Sequence, residues 1–306
     1  MPLDPDVRAL IGALDDQGFQ SFEKLGVEGT RAAVASFTGL QLPKRGSCRS
    51  TDVSYGPDPA HRARIHVPPG DRPLPVVVYV HGGGFVAGNL DVVDERARAL
   101  AVDTGAIVVS VTYRLAPEAR FPAAHDDVFA ALRWTAKEIS AHGGDPDRIA
   151  VMGDSAGGTL AAAAVIRARD EGEPPVRAQV LVYPLVDPLA DTASRREFAE
   201  GYLLHLDALQ WFGAQYVSGP EDVTDPRLAL GRNDLAGLPP TLVVTTEYDT
   251  LRDEGEAFAA ALENAGVRAA HRRMDGLVHA AYWASAAIPR SAEIHEAAVA
   301  HLRRNL

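Results

Sequence analysis

Ser155 lies in Gly153-Asp154-Ser155-Ala156-Gly157, directly after the apolar run Ile149-Ala150-Val151-Met152 and just before an Ala-rich stretch. A G-x-S-x-G between a strand and a helix marks a nucleophile elbow. Its sharp turn strains the serine backbone, and small neighbours let other chain segments pass closely. The helix after Ser155 would aim free N–H groups and its positive dipole end at any anion forming beside the hydroxyl, so Ala156 N–H is an expected oxyanion donor. Without that context the five residues would read equally well as a glycine-rich turn with an incidental serine.

His81-Gly82-Gly83-Gly84-Phe85 closes a second strand-like run, 76–80. Consecutive glycines disfavour regular structure and leave backbone N–H groups exposed. Acyl transfer needs such donors, because charge moves onto the carbonyl oxygen in the transition state. Gly83 and Gly84 are the candidates. A phosphate cradle is the competing reading, but the loop lacks both the Lys-Ser/Thr ending and G-x-G-x-x-G spacing.

A serine hydroxyl is a weak nucleophile, so a histidine must take its proton and an acid must fix the histidine's tautomer. Of ten histidines, five follow Ser155: His205, His271, His279, His295 and His301. His279 follows 274–278, expected to form a loop past the last strand that delivers an imidazole to the top of the sheet. His271 falls inside a strand-like run and reads as structural. For the acid, Asp249 sits where the apolar run 241–246 ends, with Glu247 as the fallback. Asp253 and Glu254 open the next helix, where negative charge complements the dipole.

These residues need a scaffold. From residue 50 onward, short β-branched runs at 51–55, 62–67, 76–80, 106–112, 148–152, 178–183, 241–246 and 269–274 alternate with helix-like segments near 92–103, 124–140, 156–170, 253–265 and 289–304. Such alternation predicts an α/β fold with a mostly parallel sheet covered on both faces. Residues 1–45 and 186–217 fall outside the alternation and are expected to form a helical lid over a catalytic core of 46–185 and 218–306. The second segment carries Phe198, Tyr202, Leu203, Leu206, Trp211, Phe212 and Tyr216 at roughly helical spacing. Leu203, Leu206 and Phe212, with Phe85 and Asp154 from the two motifs, are candidate substrate-binding residues.

Bulk properties narrow the function. In 306 residues, 46% hydrophobic and 23% charged content places the chain among ordinary globular proteins. A formal charge of -11 repels nucleic acid and anionic lipid surfaces, so a neutral small molecule is the expected partner. The single cysteine, Cys48, cannot form an internal disulfide, and the acidic N-terminal residues lack a secretory pattern, which points to the cytoplasm. No apolar run approaches the roughly 20 residues that span a bilayer. An edge strand such as 269–274 offers a surface for a homodimer.

The chain resembles the bacterial hormone-sensitive-lipase-like esterases that carry GDSAGG. The resemblance rests on HGGGF at 81–85, YRLAPE at 113–118, FPAAHDD at 121–127, GDSAGG at 153–158, YPLVDP at 183–188 and EYDTLRDEG at 247–255. It implies an α/β-hydrolase fold with an eight-stranded, mostly parallel sheet and a helical cap. It further implies hydrolysis of short to medium acyl esters without metal or organic cofactor. On the matching positions it makes Ser155, Asp249 and His279 the triad and Gly83, Gly84 and Ala156 the oxyanion hole. An amidase or deacetylase would use the same residues, and a ligand-binding protein of this fold would lack the histidine. Two positions depart from the family: His279-Ala280-Ala281-Tyr282 replaces the usual His-Gly-Phe, and Thr250 follows the acid where Pro is common.

Overall fold

The computed structural model describes residues 2–306. Eight strands form one sheet: β1 (Arg49–Ser54), β2 (Arg62–Val67), β3 (Leu74–Val80), β4 (Ile107–Val111), β5 (Gly144–Asp154), β6 (Ala178–Val182), β7 (Thr241–Tyr248) and β8 (Ala269–Val278). Their spatial order is β1-β2-β4-β3-β5-β6-β7-β8; β2 pairs antiparallel with β1 and β4, and every pair from β4 to β8 is parallel. The all-apolar run of β3 shows why the sheet is central. Val76, Val78 and Val80 enter one core cluster, Val77 and Tyr79 the other, and all five are within 1% of full burial. Side chains alternate across a strand, so a strand with no polar face must be covered twice.

Helices supply that cover. α4 (Ala123–Glu138), α5 (Ala156–Glu171) and α8 (Arg252–Asn264) bring Leu132, Leu160 and Leu262 to the first cluster, while α3 (Leu90–Thr104) and α9 (Ala292–Asn305) bring Leu100 and Leu302 to the second. α5 is almost entirely buried, and its run of alanines lets it lie close to the strands. Among the described residues no helix is long and apolar enough to cross a membrane.

The segments outside the alternation pack together. α1 (Pro5–Asp16) and α2 (Phe22–Ser36) precede the sheet, while α6 (Ala193–Glu197) and α7 (Leu206–Tyr216) interrupt the β6–β7 connection; α2 lies against α7. Gly26, at φ 66° and ψ -176°, breaks α2.

One expectation needs correction. Residues 274–278 are not a loop, because β8 continues to Val278. Gly276 turns at φ 80°, so pairing shifts after Thr246–Met274 and resumes at Tyr248–Val278. His279 therefore leaves a paired strand end rather than a mobile turn.

Candidate active site

The elbow forms where β5 meets α5. Ser155 sits at φ 53° and ψ -125°, a conformation that costs a non-glycine residue about 1–3 kcal/mol, and its N–H is held by the Val182 carbonyl at 2.9 Å. A side chain at Gly157 would collide with the carbonyls of Val80 and His81, and one at Gly153 with the carbonyl of Gly157. Glycine at both positions lets the first turn of α5 press against the end of β3, bringing the serine beside the 82–84 loop.

That loop is tightly braced. Gly83 takes φ 113° and its carbonyl accepts from Val86 and Ala87 N–H; Gly84 takes φ 63° with Phe212 packed where a side chain would stand. The N–H groups of Gly83, Gly84 and Ala156 have no hydrogen-bond acceptor among the described residues, which leaves them open to an external oxygen. Tyr113 donates its hydroxyl to the His81 carbonyl at 2.8 Å, and Ala116 N–H reaches the Phe85 carbonyl at 2.9 Å.

Ser155, His279 and Asp249 meet in one hydrogen-bonded chain. His279 Nε2 lies 2.9 Å from Ser155 Oγ and its Nδ1 lies 2.8 Å from Asp249 Oδ2. An ionised carboxylate only accepts, so the neutral ring carries its proton on Nδ1, and Ser155 Oγ–H donates to Nε2. Asp249 also accepts from Thr246 Oγ1 at 3.0 Å and Leu251 N–H at 2.9 Å, which fixes its carboxylate plane. Tyr183 packs on the imidazole with ring centroids 4.5 Å apart. The other candidates lie elsewhere. Glu247 accepts from Gly276 N–H, His271 bonds Thr245, His295 bonds Asp103, and His301 donates to the Pro240 carbonyl. His205 is the residue before α7.

Ser155 opens into a cavity of about 550 Å³. All five candidate substrate-binding residues line it: Phe85, Asp154, Leu203, Leu206 and Phe212. Asp154 is buried, accepts from Tyr79 Oη at 2.7 Å, and burial pushes its carboxyl up to about 6. Phe85 stacks on Tyr216 at 4.2 Å, and Tyr216 in turn bonds His125 Nδ1 at 2.8 Å. The lining also extends beyond residue 217, to Val223 and Leu228.

A family model described as the alpha/beta hydrolase fold matches residues 77–283, more than half of the chain and all the residues of the elbow, loop and Ser–His–Asp chain. The chain belongs to this family. Within it, the chain is 45% identical over 249 residues to carboxylesterase NlhH of Mycobacterium tuberculosis, covering 79% of this chain and 78% of that protein. Esterase LipI of the same organism is 38% identical over 301 residues, covering 96% and 93%. Among solved structures, a hyperthermophilic esterase from the archaeon Pyrobaculum calidifontis superposes with a TM-score of 0.93 at 39% identity, covering 99% of each chain. The protein is a carboxylic ester hydrolase of the hormone-sensitive-lipase-like group.

Several residues of this esterase's site carry no local signal of their role. Arg31 of α2 donates to the carbonyls of Val86 and Ala116, both at 3.0 Å, and pairs with Glu118, clamping α2 over the 82–84 loop. Glu254 holds the start of the β6–β7 insertion: it accepts from Val186 and Asp187 N–H and binds Arg195 of α6 at 2.6 and 3.0 Å. Arg96 donates to the Tyr282 carbonyl at 2.7 Å and so fixes the turn after His279. Each partner lies tens of residues away in sequence, where spacing says nothing. Of the motifs visible only as matches, YRLAPE supplies Tyr113, Ala116 and Glu118 to the bracing of the 81–86 loop, and FPAAHDD supplies His125, which bonds Tyr216 behind Phe85.

Proposed function

We propose that the enzyme cleaves esters through an acyl-enzyme, with Ser155 as nucleophile, His279 as general base and Asp249 as the acid that orients it. The continuous hydrogen-bond chain from Ser155 Oγ through the imidazole to a carboxylate fixed by two further contacts carries this reading. His279 Nε2 takes the hydroxyl proton as Oγ attacks the carbonyl carbon. Asp249 stabilises the imidazolium without accepting its proton. The N–H groups of Gly83, Gly84 and Ala156 receive the oxyanion. The imidazolium then protonates the leaving alkoxide, and water repeats the sequence on the acyl-Ser155 ester.

We read residues 1–45 and 186–217 as the cap over a core of 46–185 and 218–306, because α2 and α7 meet above the serine and both line the cavity. Its apolar walls exclude water and suit short to medium acyl chains. Ser155→Ala should lower kcat on a butyrate ester about 10⁴-fold or more. Undiminished turnover would end the assignment, whereas a burst of alcohol from wild type that the variant lacks would support the acyl-enzyme.

A further inference from the structure

A second, smaller cavity of about 130 Å³ lies between the α1–α2 pair and residues 201–208. Leu14, Phe19, Phe22 and Leu203 line both cavities, so the partition between them is a single layer of side chains. Phe22 is its centre. Its ring meets Phe19 edge-on with centroids 5.9 Å apart and Phe212 at 5.6 Å, and Phe212 packs on Gly84 of the oxyanion loop.

Two backbone features hold Phe22 there. Gly26 adopts φ 66° and ψ -176°, a conformation essentially confined to glycine, and turns the first residues of α2 away from its remaining axis. Across that break, the buried Thr30 hydroxyl donates to the Phe22 carbonyl at 3.0 Å. The rest of α2 is fixed by the Arg31 clamp.

We infer that Phe22 is a specificity-determining residue that limits ester chain length by closing the main cavity against the smaller one. This rests on the esterase reading above. With Phe22 in place a long apolar chain meets an aromatic wall. Without it, the chain extends into space lined by Ile11, Tyr202 and Ala208. Gly26 and Thr30 act through Phe22 and are positioning residues.

The test compares kcat/KM for 4-nitrophenyl butyrate and dodecanoate, and in parallel for ethyl and decyl acetate. Phe22→Ala is expected to raise the long-to-short ratio about tenfold or more in one series, since room for even one methylene changes discrimination by about that factor. A shift in the first series puts the acyl chain against Phe22, and a shift in the second puts the alcohol there; either supports the proposal. Ratios within twofold of wild type in both series overturn it. Phe22→Leu, which keeps an apolar side chain if the alanine variant folds poorly, should give a smaller shift in the same direction, and no shift overturns the proposal. Gly26→Ala leaves every wall side chain intact and should move the ratio the same way; an unchanged ratio removes the kink's part in placing Phe22. Failure of the triad reading would show separately, as activity retained by Ser155→Ala.

Discussion

At the scale of the residue, Ala280 shows the structural consequence of a departure visible in the sequence. It sits at φ 61° and ψ 4°, where Gly is favoured, immediately after His279. Alanine there costs roughly 1–2 kcal/mol in the left-handed region. The turn is imposed from outside by the Arg96 bond to Tyr282 and by burial of Ala281, Tyr282 and Trp283. Ala280→Gly should relieve that strain, partly offset by about 0.5–1 kcal/mol of added unfolded-state freedom, leaving a net gain of about 0.5–1 kcal/mol in urea unfolding. Ala280 also lines the cavity, so the same variant changes its shape beside the histidine. Thr250, the other departure, is buried with its hydroxyl unpaired, while its carbonyl accepts from Ser194 Oγ at 3.0 Å. The meeting of Ser155, His279 and Asp249 in one hydrogen-bonded chain was legible because the expected chemistry demands those residue types at strand ends. The bracing by Arg31 and Arg96 was not, because a guanidinium bound to distant carbonyls leaves no trace in local spacing.

Among the elements, the strands were the most legible, since β-branched runs between Gly, Pro and Asp leave little alternative. β8 extends past its expected end because the pairing of Val278 with Tyr248 is non-local, and Gly276 looks like a terminator until the neighbouring strand is placed. Glu254 illustrates the opposite error of scale. At the start of α8 it reads as a dipole-complementing acid, yet it joins α8 to α6 and to the 186–187 backbone. Burial pushes its carboxyl up to about 7 against the opposing pull of Arg195 and two N–H donors. At pH 8 and above, where the carboxyl is ionised, Glu254→Gln leaves the Arg195 guanidinium buried without its counter-charge, and breaking such a pair costs about 3–5 kcal/mol. A fall of that order in the urea-derived stability is expected. Esterase activity should decline with it, because the same segment carries Leu189 and Arg196 to the cavity.

Across the whole molecule, buried ionisable groups set how stability depends on pH. Burial lowers His66, His81 and His125 to about 4, 4 and 3. An unfolded histidine titrates near 6.5, so below that pH the unfolded chain binds protons that the fold refuses, and the stability held above about 6.5 is lost as pH falls towards 4. Asp154 and Glu254, raised to about 6 and about 7, keep protons in the fold that an unfolded carboxylate releases, and so oppose two of those three. Burial also lowers His271, His295 and His301, so the histidines outweigh the two carboxylates and stability falls between about pH 6 and 4.5, which urea midpoints across that range will show. A midpoint that stays flat or rises as pH falls would overturn the dominance of the histidines. The open edge of β8 is also proposed as a homodimer surface, for which sedimentation should give twice the chain mass and a proline replacing an edge residue the single mass. Sequence alone determined the candidate reacting groups and the parallel α/β scaffold, because each depends on residue type and local period. Only the tertiary structure decided what holds those groups in register and what bounds the cavity. The partners of Arg31 and Glu254, and the packing of Phe22 between two cavities, join segments whose proximity arises only when the chain closes on itself.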